Sequence, residues 1–111
     1  MKKGDIVLIP FPFTDLSGTK NRPAIVLIST DEDVTICFMT TQLKWKSKFD
    51  VRIKPSEVNG LKKESLIRLN KMATVNKDLV IGLLGHLEEK EVRNLNQSLI
   101  SILKLDPAIQ M

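Results

Sequence analysis

Tyrosine is missing from these 111 residues, and one tryptophan and four phenylalanines make up the whole aromatic complement. Whatever core the chain builds must therefore be mainly aliphatic. A single cysteine, Cys37, excludes an intramolecular disulfide and a cysteine-cluster metal site. It lies in "VTICFMT", an apolar run that predicts an inert, buried thiol. A single histidine, His86, argues against a zinc site or a two-histidine catalytic pair within one chain. Its ordinary pKa near neutrality invites an acid or base role. However, it stands in "LLGHLEE", at a join between strand and helix patterns, and reads as a structural or surface residue. No apolar run approaches the ~20 residues of a membrane span, so no membrane association is expected. The opening "MKKGDIVLIPFPF" has two lysines before an apolar stretch, as a short signal peptide does. Asp5, Pro10 and Pro12 interrupt that stretch and no small-residue cleavage site follows, so a cytoplasmic protein is expected.

What the chain does contain is ordinary for a globular protein: 42% hydrophobic and 27% charged residues, in a length that suits one domain over 1–111. The net charge of +4 is modest, but its placement is not. "KWKSKFDVRIK" (44–54) holds five basic residues against Asp50 alone, and the remaining basic and acidic residues balance. A strip that carries all the excess charge favours a polyanionic partner.

The first two thirds read as strands. "DIVLIPF" (5–11) is apolar and branched, and "PFTDLSGTKNRP" after it is a loop built from turn residues. "AIVLIST" (24–30) is apolar without alternation, which predicts burial on both faces. "VTICFMTTQ" (34–42) follows the short acidic "DED" as its hairpin partner. In the basic strip Trp45, Phe49, Val51 and Ile53 alternate with Lys44, Lys46, Lys48, Asp50, Arg52 and Lys54. This period of two predicts a half-buried strand with a cationic outer face, extended loop at its start. "PSEVNGL" suits one helical turn ended by Gly60, and "ESLIRLNKMATV" (64–75) returns to strand. "NKDL" is a turn capped by Asn76, and "VIGLLGHL" (80–87) is a last strand whose Gly82 and Gly85 suit a bent sheet. From Glu88, Val92, Leu95, Leu99 and Ile102 mark one face of a helix, with Glu88, Glu89 and Glu91 crowding its first turn. The fold class expected is mainly β, a small curled antiparallel sheet with short helical turns and a C-terminal α-helix.

Arg22 stands between a polar turn and Pro23, which restricts its backbone to extended conformations. Its guanidinium is always charged and offers a fork of donors that matches phosphate. On residue type alone a surface arginine beside a sheet edge explains it as well. Thr40 ends the third strand, and the hairpin brings that end beside the start of the second, so Arg22 and Thr40 can be neighbours. Thr40 is explained equally by strand propensity. In the loop, Phe13 can stack on an unpaired base while Lys20 and Asn21 reach its phosphate, or Phe13 can plug the open end of the sheet. Trp45 carries the same ambiguity, with its alternation pointing it inward.

These segments, "KGDIV", "RPAIVLIS", "MTTQ", "NGLKKESLIRLNKMATVNKDLV" and "GLLGHL", together resemble the MazF/PemK (Kid) family of toxin endoribonucleases over nearly the whole chain. The "FPFTDLSG" loop resembles a PemK-like subgroup. The resemblance implies an SH3-like barrel working as a homodimer, held in check by a cognate antitoxin. It implies metal-independent, sequence-selective cleavage of single-stranded RNA with no cofactor. The family's catalytic arginine falls on Arg22 and its catalytic threonine or serine on Thr40. Phe13, Lys20, Asn21, Thr41, Gln42, Lys44, Lys46 and Lys71 are the expected RNA contacts, with loop 12–21 gating the groove. The chain departs from the family pattern at Lys71, where many members carry glutamine, and at Ala73, where many carry a basic residue. The expected antitoxin is an acidic, partly disordered chain that folds on the basic groove. Two alternatives stand beside the nuclease: a non-catalytic module of the gyrase-poison or nucleic-acid-binding kind, and an inactive dimeric scaffold for the antitoxin. The helix face and the glycine-bearing last strand are the expected dimer surface.

Overall fold

The computed structural model describes residues 1–11, 20–45 and 47–105. Six strands form one antiparallel sheet: β1 (Asp5–Phe11), β2 (Lys20–Ser29), β3 (Asp33–Thr40), β4 (Val51–Ile53), β5 (Ser65–Asn76) and β6 (Gly82–His86). Their order across the sheet is β4-β5-β3-β2-β1-β6, followed in the chain by helix α1 (Glu89–Ile102). The β2–β3 hairpin is present, with Ala24 opposite Phe38 and Val26 opposite Ile36.

Both faces of the sheet are apolar. Ile6, Ile25, Cys37, Ile67 and Leu69 share one cluster with Leu95 and Leu99 of α1. Val7, Ile9, Ala24, Val26, Val34 and Ile36 form the other. Adjacent residues such as Ile6 and Val7, or Ala24 and Ile25, send their side chains to opposite faces, and all four are 0% exposed. This is why β2 reads as a continuous rather than an alternating run. Val92 and Ile102 pack against the first cluster, so the expected helix face is buried inside the chain, while Leu83 of β6 is exposed. The Glu91 carboxylate accepts the Glu88 N–H at 2.9 Å and ties down the helix start.

The sheet curls until its edges nearly meet. The chain leaving β4 runs beside β6, where the His86 N–H donates to the Val58 carbonyl at 2.9 Å. The approach leaves no space for a Cβ at Gly85, against Val58, or at Gly60, against Leu84. Gly60 also adopts φ +69°, the left-handed region that glycine tolerates.

"PSEVNGL" forms the expected single turn, over 57–59: Ser56 Oγ accepts the N–H groups of Val58 and Asn59 at 3.3 and 3.2 Å at its start, and Gly60 follows it. The buried Asn59 side chain ties the turn together, its Oδ1 accepting the N–H groups of Ser56 and Leu61 at 3.1 and 2.9 Å and its Nδ2 donating to the Lys54 carbonyl at 2.8 Å. One local expectation is corrected. The basic strip is not one alternating strand. Leu43–Trp45 is a 3-10 turn, only Val51–Ile53 is strand, and Asp50 turns inward with its side chain 0% exposed. Burial of Asp50 beside Arg68 overrides the period of two. The Asn76 cap is as expected: its Oδ1 accepts the Asp78 N–H at 2.8 Å before a 3-10 turn at Lys77–Leu79. Among the described residues no helix is long and apolar enough to cross a membrane.

Candidate nucleic-acid interface

β3 is flanked by β2 on one side and β5 on the other, and this neighbourhood assembles the site. The β2–β3 ladder reaches Ala24 and Phe38, and two residues beyond each of these Arg22 and Thr40 line the same cleft. On its other side Thr40 pairs with Leu66 of β5. β5 then departs from regular pairing. Cys37 faces Met72 and Met39 faces Ile67, so Phe38 alone spans the four residues Arg68 to Lys71. This bulge bends β5 away and opens a cleft of about 420 Å³.

Arg22, Arg68 and Lys71 line the cleft together with the polar Thr40 and Asn70, and among the described residues no carboxylate lines it. Phe38, Met39 and Met72 supply its apolar wall. Three cations from strands on either side of β3 make a focused positive site suited to an anion. Arg22 and Arg68 stand on strands two spacings apart, about 10 Å between backbones, a gap that two long side chains can close around one phosphate. The Thr40 hydroxyl accepts the Gln42 backbone N–H at 3.1 Å. That bond orients the oxygen and leaves its O–H to donate outward.

The expected site residues divide as follows. Arg22, Thr40 and Lys71 come together in the cleft. Thr41, Gln42 and Lys44 are exposed on the chain leaving β3, just beyond it. Lys20 and Asn21 are exposed at the start of β2, opposite Phe11 and Pro10. Phe13, Lys46 and the rest of loop 12–19 lie outside the described residues, as does the Trp45 side chain. His86 pairs with Asp5, whereas Arg22 pairs with Ile9 farther along the same strand. Four residues of strand put it about 13 Å away along β1, with a further strand between, so it serves no proton transfer in the cleft.

Sequence reasoning missed Arg68, Asn70 and the apolar wall. The one signal was a broken alternation in "SLIRLNKM", where Leu66 and Ile67 are adjacent apolar residues before Arg68. It announces an irregular strand without saying which residues the irregularity exposes.

The sequence matches the family described as PemK-like, MazF-like toxin of type II toxin-antitoxin system over residues 2–103. Among curated proteins, none matches it. Two solved structures have closely similar folds. One is the Mycobacterium tuberculosis toxin MazF-mt6, with a TM-score of 0.75 and 20% identity over 92% of this chain and 98% of that one. The other is an endoribonuclease in complex with its cognate antitoxin from Mycobacterial species, with a TM-score of 0.74 and 19% identity over 96% and 97% of the two chains. A further Mtb toxin structure aligns with a TM-score of 0.65 at 18% identity over 84% of this chain and 93% of its own. At these identities the likeness establishes a shared fold, the curled antiparallel sheet with one C-terminal helix. The family match over almost the entire length goes further: the chain belongs to the PemK-like, MazF-like toxins of type II toxin–antitoxin systems.

Proposed function

We propose that this toxin is an endoribonuclease that cleaves single-stranded RNA by transesterification in the cleft between β2, β3 and β5. The observation that carries the reading is the convergence of Arg22 and Thr40 from adjacent strands, beside Arg68 and Lys71. The ribose 2′-oxygen attacks the neighbouring phosphorus in line. The bond from 2′-oxygen to phosphorus forms as the bond to the 5′-oxygen breaks, leaving a 2′,3′-cyclic phosphate and a 5′-hydroxyl. The 2′-hydroxyl gives up its proton and the departing 5′-oxygen gains one. A guanidinium keeps its proton and does not act as the base. Arg22 instead stabilises the charge that builds on the phosphoryl oxygens, and Thr40 donates a hydrogen bond that fixes them. The apolar wall around Phe38 suits the face of a nucleobase.

The same reading gives the protein a single domain over 1–111, a cytoplasmic location, a homodimeric state and an antitoxin partner. Ile81 just before edge strand β6 and Leu83 within it, 55% and 65% exposed, support a second copy there. The antitoxin complex of a structural neighbour supports the partner.

The test is incubation of the protein and its Arg22→Ala variant with mixed-sequence single-stranded RNA and DNA in EDTA, followed by analysis of the ends. Cyclic-phosphate ends from RNA with the parent, none with the variant, and intact DNA are expected. Binding without any cut, over several unrelated sequences, would replace the enzyme with a binding module or scaffold.

A further inference from the structure

Asp50 is the one acid in the basic strip, and its side chain is wholly buried while Arg68, its ion-pair partner, is 21% exposed at the cleft. Oδ2 of Asp50 stands 3.6 Å from Nε of Arg68. The same oxygen accepts the Ser47 N–H at 2.9 Å, and the Ser47 carbonyl accepts the Asp50 N–H at 3.2 Å. The ion pair is attractive but not hydrogen-bonded: among the described residues, Asp50 Oδ1 and Arg68 Nε have no hydrogen-bonding partner. Stability gives no reason for this arrangement. A buried pair with unmet hydrogen bonds is commonly no more stable than an apolar residue of similar volume.

The carboxylate joins two parts that would otherwise be independent. One is the guanidinium that reaches the cleft from the β5 bulge, where regular pairing does not fix it. The other is the turn at Ser47–Asp50, which carries Lys48 and leads into β4. We propose that Asp50 is a positioning residue: its buried charge holds Arg68 at the cleft and, through Ser47, fixes the turn that carries Lys48. The loose contact leaves the guanidinium attracted to its place yet able to turn its donors to a phosphate. The proposal rests on the cleft being the RNA site.

The experiment is a double-mutant cycle with Asp50→Asn, Arg68→Gln and the two combined. Each is measured by kcat and KM on RNA and by the Kd of an all-2′-deoxy oligonucleotide of the same sequence. Asparagine keeps the shape and the acceptor for Ser47 but removes the charge. With Arg68 present, Asp50→Asn is expected to lower kcat/KM about tenfold, and in the Arg68→Gln background less than about twofold, as directly interacting residues do. Equal losses in both backgrounds, or full activity of Asp50→Asn, would overturn the proposal, because a merely structural carboxylate does not depend on Arg68. If Asp50→Asn does not fold, Asp50→Glu replaces it in the same cycle, where dependence on Arg68 supports the proposal and independence overturns it. A parent that binds the oligonucleotide but leaves RNA intact would end the nuclease reading alone, and the cycle on Kd would then decide for or against Asp50. A parent that binds neither RNA nor DNA would end both.

Discussion

Arg22 and Arg68 reach the same cleft from either side of β3, by different means. Arg22 is carried there by a regular ladder: β1 pairs with β2 through Ile9 and Arg22, and β2 with β3 through Ala24 and Phe38. Arg68 is carried by an interruption, the four residues of β5 that Phe38 alone faces, and is held from behind by a buried aspartate. The first side is specified by hydrogen-bond register, which tolerates change in any one side chain. The second depends on one charge pair. A mutation near Arg22 should therefore alter chemistry and leave the fold intact, whereas one behind Arg68 should disturb geometry first.

The largest effect that would sharpen this contrast is expected from Arg22→Ala. Arg22 is exposed, so thermal stability should hardly change while kcat falls ~10²–10³-fold, the usual loss for one preorganised donor. A large fall in melting temperature with unchanged kcat would break the comparison. Thr40→Val comes next. Losing a hydrogen bond to a charged phosphate should lower kcat/KM about 10–100-fold, and Thr40→Ser, which keeps the hydroxyl, should restore most of it. Equal activity in the valine and serine variants would remove Thr40 from the chemistry.

Beneath both sides lies Cys37, 0% exposed and opposite Ile25 and Met72 in the ladders. Burial pushes its thiol from an ordinary 9.0 up to about 12. Above pH 9 the unfolded chain loses that proton before the folded one does, so the thiol's contribution to stability declines as pH rises from about 9 towards 12. Urea unfolding at pH 8 and pH 10.5 should show a steeper alkaline loss for the parent than for Cys37→Ala. Parallel losses would mean that the floor between the two sides is not dry. The smallest effect is expected at Lys44, exposed just beyond the cleft. Lys44→Ala should weaken oligonucleotide binding a few-fold and reduce the slope of log Kd against log salt by about 0.7, one phosphate contact on a single strand. An unchanged slope would take Lys44 out of the interface.

Much of the framework could be read from adjacent apolar pairs. Ile6-Val7 and Ala24-Ile25-Val26 betray a sheet buried on both faces, and Leu95 and Leu99 place the helix on it. That Arg22 and Thr40 would meet followed from the hairpin alone, because a hairpin register is local. What could not be read was non-local. Nothing in "KFDVRI" distinguishes an outward aspartate from one drawn inward by Arg68, a partner supplied by another strand. Likewise, nothing in "PSEVNGL" shows that Asn59 is buried against β6 and bonded to Lys54, Ser56 and Leu61 at once. The bulge in β5 left only a faint mark, and it is the bulge that opens the cleft.

The central claim is that a ribose 2′-hydroxyl, oriented beside Arg22 and Thr40, is the nucleophile. Once a cut has been mapped, a substrate carrying a single 2′-deoxy nucleotide on the 5′ side of that bond tests it most directly. Binding within a few-fold of the all-RNA strand, with cleavage abolished at that bond alone, is the predicted result. Continued cutting there would mean that water attacks the phosphorus, and would contradict the account.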